Sequence, residues 1–410
     1  MPVIGSTAQA SAALTGRPVR DAIVAQNVWM QSTAGVQTAG VTSRVRHRIT
    51  VDARDLRLAY GNWQNPESSA TPGTITVKAA LEIAGVIYPL FFGGQRTVTL
   101  DYLASATSDP LAVDVPKGTV VYSRQYITGA SGFIPNYSTI SSNGGQVSGD
   151  SADSGTIADS YVFTLGPQNI IGTVTEADFA RTVWRIGDSI AAGSGDNSGN
   201  YEFTGSPSLT QVGGFMSRAL NGAFGNLCVA YGSDAVWKFI GNGLHHRLKV
   251  AGVAKYAIDN YGTNDCADGR TAAQIEADLV TLWRMLRARG VTPYRCTMTP
   301  RSNSTDSWAT VGNQTQRSDD LPRVVVNNWI RDGAPIDATS LAPVAVGTSS
   351  NVLRMGATGH PCAGYFEVAD TVESARDSGK WAASMTSDGV HPNAAAHALM
   401  AAAVNTAVFV

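Results

Sequence analysis

Two short stretches far apart in the chain carry residue types that fit a single reaction. One is Gly187-Asp188-Ser189, the other Ser387-Asp388-Gly389-Val390-His391-Pro392-Asn393. A serine hydroxyl is a poor nucleophile until a base removes its proton, and an imidazole is suited to that task near neutral pH. Asp388 and His391 share one tight loop, so the carboxylate can fix the ring tautomer while the ring takes the proton of Ser189. The order Ser, Asp, His is one of several in which unrelated folds build such a triad. A blander reading makes Asp388 and His391 mere caps of the helix that follows.

Gly-Asp-Ser on its own proves little, and the chain contains its own control. Gly149-Asp150-Ser151 follows the polar run Ser141-Ser-Asn-Gly-Gly-Gln-Val-Ser and no strand, so that copy reads as a loop. Ser189 follows Val183, Trp184 and Ile186, which read as a short buried strand ending at Gly187. The next residues, Ile190-Ala-Ala-Gly-Ser-Gly195, are too small and flexible to continue it. A serine placed there is exposed at the carboxyl edge of a sheet, where open α/β folds hold their chemistry.

The rest of the second half alternates between strand-like and helix-like text. Strands are expected at residues 226–231, ending at Gly232, and at 253–259, ending at Tyr261-Gly262-Thr263-Asn264-Asp265. Two more are expected at 291–299 and 365–370. The clearest helix runs from Thr271 as N-cap to Gly290, with Ile275, Leu279, Leu282 and Leu286 as its apolar stripe. Shorter helices are expected at 214–222, 321–331 and 392–408. Such alternation implies a parallel sheet with helices on both faces. Between residues 42 and 165 the text consists of short runs of period two punctuated by Gly, Pro, Asn and Asp, which predicts an antiparallel sandwich of jelly-roll type. Residues 1 to about 30 read as an arm or a first edge strand. The expected division is a β-sandwich over 1–170 and a catalytic domain over 171–410.

In this order the motifs resemble the SGNH/GDSL hydrolase family. Gly187-Asp188-Ser189 follows a first strand, Gly232 a second, and Gly262-Thr263-Asn264-Asp265 a third, while Asp388-Gly389-Val390-His391-Pro392 stands near the end. The resemblance covers roughly residues 181–410. It implies a flavodoxin-like three-layer α/β/α domain with a five-stranded parallel sheet. Ser189 would be the nucleophile, His391 the base and Asp388 its orienter. It also implies an oxyanion hole built from the backbone N–H of Ser189, the N–H of Gly232 and the side-chain amide of Asn264. Gly232 lets a backbone approach without a Cβ, and Asn264 offers a neutral donor. No cofactor and no metal is implied.

Composition narrows the remaining classes. A net charge of −2 over 410 residues gives no basis for nucleic-acid binding, and no apolar run is long enough to span a bilayer. The first residues lack the basic and apolar regions of a secretory signal. Cys228, Cys266, Cys296 and Cys362 form no Cys-x-x-Cys pair; they read as buried thiols, with a disulfide at Cys266 or Cys362 left open. Asp188 reads as structural, Asp265 as a local turn residue and His397 as helix surface or core. His245-His246-Arg247 reads as a solvated loop, and His47 and His360 have no evident partner.

The family includes lipases, thioesterases and carbohydrate acetylesterases. A β half ahead of such a domain, and the absence of a long apolar lid, point to an acylated carbohydrate or small ester as substrate. Trp308 and Tyr261 are candidate stacking platforms, in or near polar segments 301–320 and 338–364 that would border a cleft. Two other readings stand beside this one: a structural or glycan-binding component of a phage tail or cell surface with ancillary esterase, and a general short-chain lipase or esterase. Homo-oligomerisation through the β half fits either.

Overall fold

Alternating inward and outward residues in the first half produce two antiparallel sheets around one core. The structure is a computed structural model that describes residues 19–27, 34–35, 40–63, 73–129, 133–134, 136–138, 144–159, 163–196, 213–243, 247 and 253–410. One sheet runs Val19–Ile23, Asn169–Thr175, Ala53–Gly61, Leu111–Val115 in spatial order, with Ser105–Thr107 also on Ala53–Gly61. The other runs Gly144–Ser148, Val41–Arg48, Val120–Gly129, Ile75–Ile83, Val86–Pro89, with Thr97–Leu100 also on Ile75–Ile83. Ile75, Val77, Ala79 and Leu81 take alternate positions on one strand. They pack in a single buried cluster with Leu56, Leu58 and Tyr60 of the facing sheet. Period two in sequence thus becomes a shared interior.

The second half forms a parallel sheet. Its strands are β1 (Gln26–Asn27), β2 (Thr182–Ile186), β3 (Gly225–Cys228), β4 (Tyr256–Asp259), β5 (Thr292–Cys296) and β6 (Gly364–Phe366). They lie in the order β1-β3-β2-β4-β5-β6, all parallel. The sheet therefore has six strands rather than five. The sixth comes from the N-terminal segment, in which Val19–Ile23 sits in the sandwich and β1, three residues on, pairs with β3. Asn169–Thr175 also belongs to the sandwich, so a division between residues 170 and 171 would fall inside a strand.

Among the described residues, the helices that flank the sheet include α1 (Phe215–Leu220), α2 (Thr263–Ala267), α3 (Ala272–Arg287), α4 (Leu321–Arg331) and α5 (Ala394–Ala402). Neighbouring strand residues point to opposite faces, and the two faces have separate cores. Trp184 and Ile186 of β2 pack with Leu279, Leu282 and Trp283 of α3 and Trp329 of α4. Val183 of the same strand packs with Phe215 and Met216 of α1 and Ala396 and Met400 of α5. Thr271 caps α3 through a reciprocal capping box with Gln274. All four cysteines are free and buried, Cys266 and Cys362 included, which settles the disulfide left open by spacing.

Trp283 ties these layers together. It stacks on Trp329 with ring centroids 5.8 Å apart and donates its indole N–H to Asp259 at 3.1 Å. Replacing Trp283 with alanine is expected to cost roughly 3–5 kcal/mol. The loss would be read as a lower urea midpoint at unchanged m-value.

Candidate active site

Order reverses at β2, which has β3 on one side and β4 on the other, and the crevice beyond such a point is where open α/β sheets bind ligands. Every residue of β2 is buried, and the chain leaves the sheet at Gly187 with φ +148°. A side chain at that position would collide with Ala191, so glycine is required for the turn. Asp188 accepts the N–H of Ile190 at 2.9 Å, and Ser189 O accepts that of Ser194 at 2.9 Å. His397 braces the turn from α5. Its Nδ1 accepts the Phe215 N–H at 3.0 Å, which assigns the proton to Nε2, and that group donates to Ser194 O at 3.0 Å. Burial pushes its pKa down to about 4, so the ring stays neutral.

This turn presents Ser189 to the loop before α5. Ser189 Oγ lies 2.8 Å from His391 Nε2, and His391 Nδ1 lies 2.6 Å from Asp388 Oδ2. Asp388 Oδ1 meanwhile accepts the backbone N–H groups of Val390 and His391 at 2.9 and 2.8 Å. Partial burial works against the charged carboxylate. The His391 ring N–H and the two backbone donors outweigh it and hold the Asp388 pKa well below the usual carboxylate range. In return, the hydrogen bond that His391 donates to Asp388 raises the pKa of His391 above 6.5. The ring is therefore a stronger base than a free imidazole, with its Nε2 lone pair aimed at the serine.

Three loops meet beside Ser189. Tyr231 donates its N–H to Gly187 O at 3.1 Å, which fixes the loop carrying Gly232. Asn264, in the first turn of α2, donates one amide hydrogen to Asp234 O at 2.9 Å, and among the described residues the other has no acceptor. Among the described residues no group of the protein takes the backbone N–H of Ser189 or of Gly232. Gly262 precedes α2 at φ +124°, where a side chain would overlap the Met298 sulfur. On the proposal that Asn264 donates to an oxyanion, replacing it with alanine is expected to lower kcat by about 10²- to 10³-fold, the usual cost of one such donor. Thermal unfolding of that variant checks that the fold survives loss of the Asp234 contact.

Several groups support these loops. Asp234 accepts Arg247 Nη1 at 2.7 Å and the Tyr261 hydroxyl at 2.6 Å. Arg295 and Asp259, both fully buried, pair at 3.0 Å, and Arg295 also donates to Tyr261 O. Asp265 receives the N–H groups of Val236 and Trp237 at 3.0 and 3.3 Å, and burial pushes its pKa up to about 6. Asp188 is fully buried with one carboxylate oxygen unpartnered, and its pKa is pushed up to about 7. Asp188 is thus structural, as expected, whereas Asp265 is no local turn residue: the backbone it holds lies 29 and 28 residues away, on the loop after β3.

Other expectations change. Tyr261 has no exposed surface and cannot stack on a substrate. Trp308 is half-buried and donates its indole N–H to Ser302 Oγ at 2.9 Å. His47 bonds Ser123 Oγ at 2.9 Å, and His360 lies between Ala334 O and Cys362 O, each at 2.9 Å. His245 and His246 fall outside the described residues, while Arg247 is buried against Asp234. In the second Gly-Asp-Ser, Asp150 pairs with Lys78 at 2.8 Å and Ser151 N–H donates to Thr42, so that copy is structural. Asp234 and Arg247 escaped sequence reading because their partners are distant in the chain, although Asp234 follows Gly232 by only two residues.

No family model matches the sequence, and no curated protein matches it. Solved structures similar to the chain include a GDSL-like lipase from Bacteroides thetaiotaomicron, at 12% identity over 56% of this chain and 88% of that one, TM-score 0.34. A family two carbohydrate esterase from Cellvibrio japonicus is similar at 12% identity over 95% of this chain and 98% of that one, TM-score 0.31. A mutant of an acetyl-xylooligosaccharide esterase from Geobacillus is similar at 15% identity over 54% of this chain and 91% of that one, TM-score 0.33. Likenesses this distant add nothing to the argument from the site residues.

Proposed function

We propose that the chain is a serine esterase of the SGNH/GDSL hydrolase type, with Ser189, His391 and Asp388 as its triad. The observation that carries this reading is the unbroken hydrogen-bond relay from Ser189 Oγ to His391 at 2.8 Å and on to Asp388 at 2.6 Å. Ser189 Oγ attacks the ester carbonyl carbon as its proton passes to His391 Nε2. The carbonyl oxygen becomes an oxyanion, which the N–H groups of Ser189 and Gly232 and the free amide hydrogen of Asn264 stabilise. Collapse breaks the bond to the leaving alcohol, which takes the proton from His391, and leaves the acyl group on Ser189. Water then gives a proton to His391 and attacks the acyl carbon. The carboxylic acid departs and the proton returns to Ser189.

The substrate proposed is a short acyl ester, acetyl above all, on a carbohydrate. Among the described residues, exposed polar side chains stand beside the triad, Ser387 with Asp388 itself. No apolar helix long enough to cross a membrane is found among them either.

The test compares wild type with Ser189→Ala on acetyl and octanoyl nitrophenyl esters and on an acetylated polysaccharide. Acetyl release by wild type alone is the expected result. Preference for octanoyl would point to a lipase, and equal rates in the two proteins would refute the triad.

A further inference from the structure

Segment 301–320 contains a hairpin, Ser302–Ser304 against Gln314–Gln316, that grips the loop carrying His391. The point of contact is Gly389, which lies between the two triad members of that loop. Its carbonyl accepts the Ser302 N–H at 3.1 Å and the indole N–H of the fully buried Trp381 at 3.1 Å. Gly389 has φ +78°, and a side chain there would strike the Trp308 ring and overlap the Ser302 carbonyl. The indole of Trp308 thus fills the face that glycine leaves bare.

Trp308 is itself held firmly. Its indole N–H donates to Ser302 Oγ, which donates in turn to Gln314 Oε1 at 3.1 Å. Gln314 accepts the Trp381 N–H at 2.9 Å and donates to Trp381 O at 2.9 Å, closing a circuit around Gly389. Trp308 and the preceding Ser307 have φ +60° and +56°, a left-handed conformation that is costly for a bulky residue. Such strain persists where the surroundings enforce it, and it clusters at functional sites. Here the enforcing group is Asp306, whose carboxylate accepts Ser304 Oγ at 2.7 Å and Thr310 N and Asn313 Nδ2 at 3.0 Å each.

We infer that Trp308 is a positioning residue of the proposed esterase, fixing the reach of His391 towards Ser189 by packing on Gly389. The inference rests on the triad reading above, but it can be tested without turnover. The charged and titratable groups that act on His391 are Asp388 of its own loop, Asp188 of the nucleophile turn, Arg301 ahead of the hairpin and His397 of α5. Removing Trp308 changes none of them, so a shifted His391 titration would report altered geometry.

The experiment is an NMR titration of nitrogen-15-labelled histidine, with steady-state kinetics on nitrophenyl acetate, for wild type, Trp308→Ala and Trp308→Phe. In Trp308→Ala the His391 midpoint is expected to fall back towards 6.5 as its bond to Asp388 loosens. A displacement of this kind should lower kcat about ten- to hundredfold with KM changed less than about twofold. Trp308→Phe should restore most of both, since a ring again covers Gly389. An unchanged titration with unchanged kcat in Trp308→Ala overturns the inference. So does a rise in KM alone, which would make Trp308 a substrate platform. Should Trp308→Ala fail to fold, Gly389→Ala serves from the other side; it is expected to show the same lowered midpoint, and an unaltered one overturns the inference. If wild type hydrolyses no ester, the esterase reading fails, and the titration alone still decides the role of Trp308.

Discussion

A His391→Ala variant is expected to lose about 10⁶-fold in kcat, and adding Ser189→Ala should remove almost nothing more. Among the described residues His391 is the base bonded to Ser189 Oγ, at 2.8 Å, and without it the hydroxyl keeps its proton at neutral pH. Either deletion therefore abolishes the same step, and residues acting as a unit are strongly non-additive. What remains in each variant is catalysis by the oxyanion donors and by binding. Asn264→Ala placed on the His391→Ala background should consequently cut deeper than Ser189→Ala does there. Kinetics of the single and double variants on one acetyl ester check this, and additive losses from Ser189 and His391 would show that they do not share a step.

The second large effect belongs to Asp388→Asn. Loss of the carboxylate is expected to lower kcat by about 10⁴-fold, because an amide at that position can hold His391 in the tautomer whose Nε2 bears the proton. The variant should also move the pH profile. In wild type the bond to Asp388 holds the His391 pKa above 6.5, so kcat/KM should rise with pH along a limb centred above that value. In Asp388→Asn the limb should slide down towards 6.5. Stability follows the same pair with a definite sign. The raised His391 pKa gives stability that is full below 6.5 and fades as pH climbs through its folded value. The lowered Asp388 pKa gives stability present above 3.8 and lost as pH falls through its folded value. Both contributions should vanish from the pH dependence of unfolding in the variant, and a limb that stays in place would contradict the assignment.

The proposed triad was legible because each member sits at the end of an element with its own local signal. Val183, Trp184 and Ile186 mark a strand, Gly187 marks its end, and an Ala-rich helix follows His391. The second Gly-Asp-Ser lacked that framing, and the structure ties it into the sandwich through Lys78 and Thr42. Strand β1 was not legible as part of the catalytic sheet. Gln26 and Asn27 carry no apolar pattern, and pairing at a sheet edge is a backbone matter that side chains need not announce. Tyr261 misled for a related reason. An aromatic residue next to an expected site looks like a platform in sequence, whereas its hydroxyl serves a buried aspartate. Trp308 was noticed as a stacking platform, while its contacts with Gly389 and Ser302 are made by the fold and left no mark in the sequence.

Strand β1 bears on how the molecule is made. A ribosome delivers Gln26 and Asn27 about 200 residues before Asn226 and Leu227, the positions beside which they lie. This edge strand is thus synthesised well before its neighbour and is among the last to find its place. During that wait Val19–Ile23 has no partner either, since Asn169–Thr175 emerges only after the rest of the sandwich. Contacts of such sequence separation slow folding, because the intervening chain must be ordered before they reward it. The two halves therefore cannot mature one after the other as beads on a string; the segment from Val19 to Asn27 is the clasp that closes last on both.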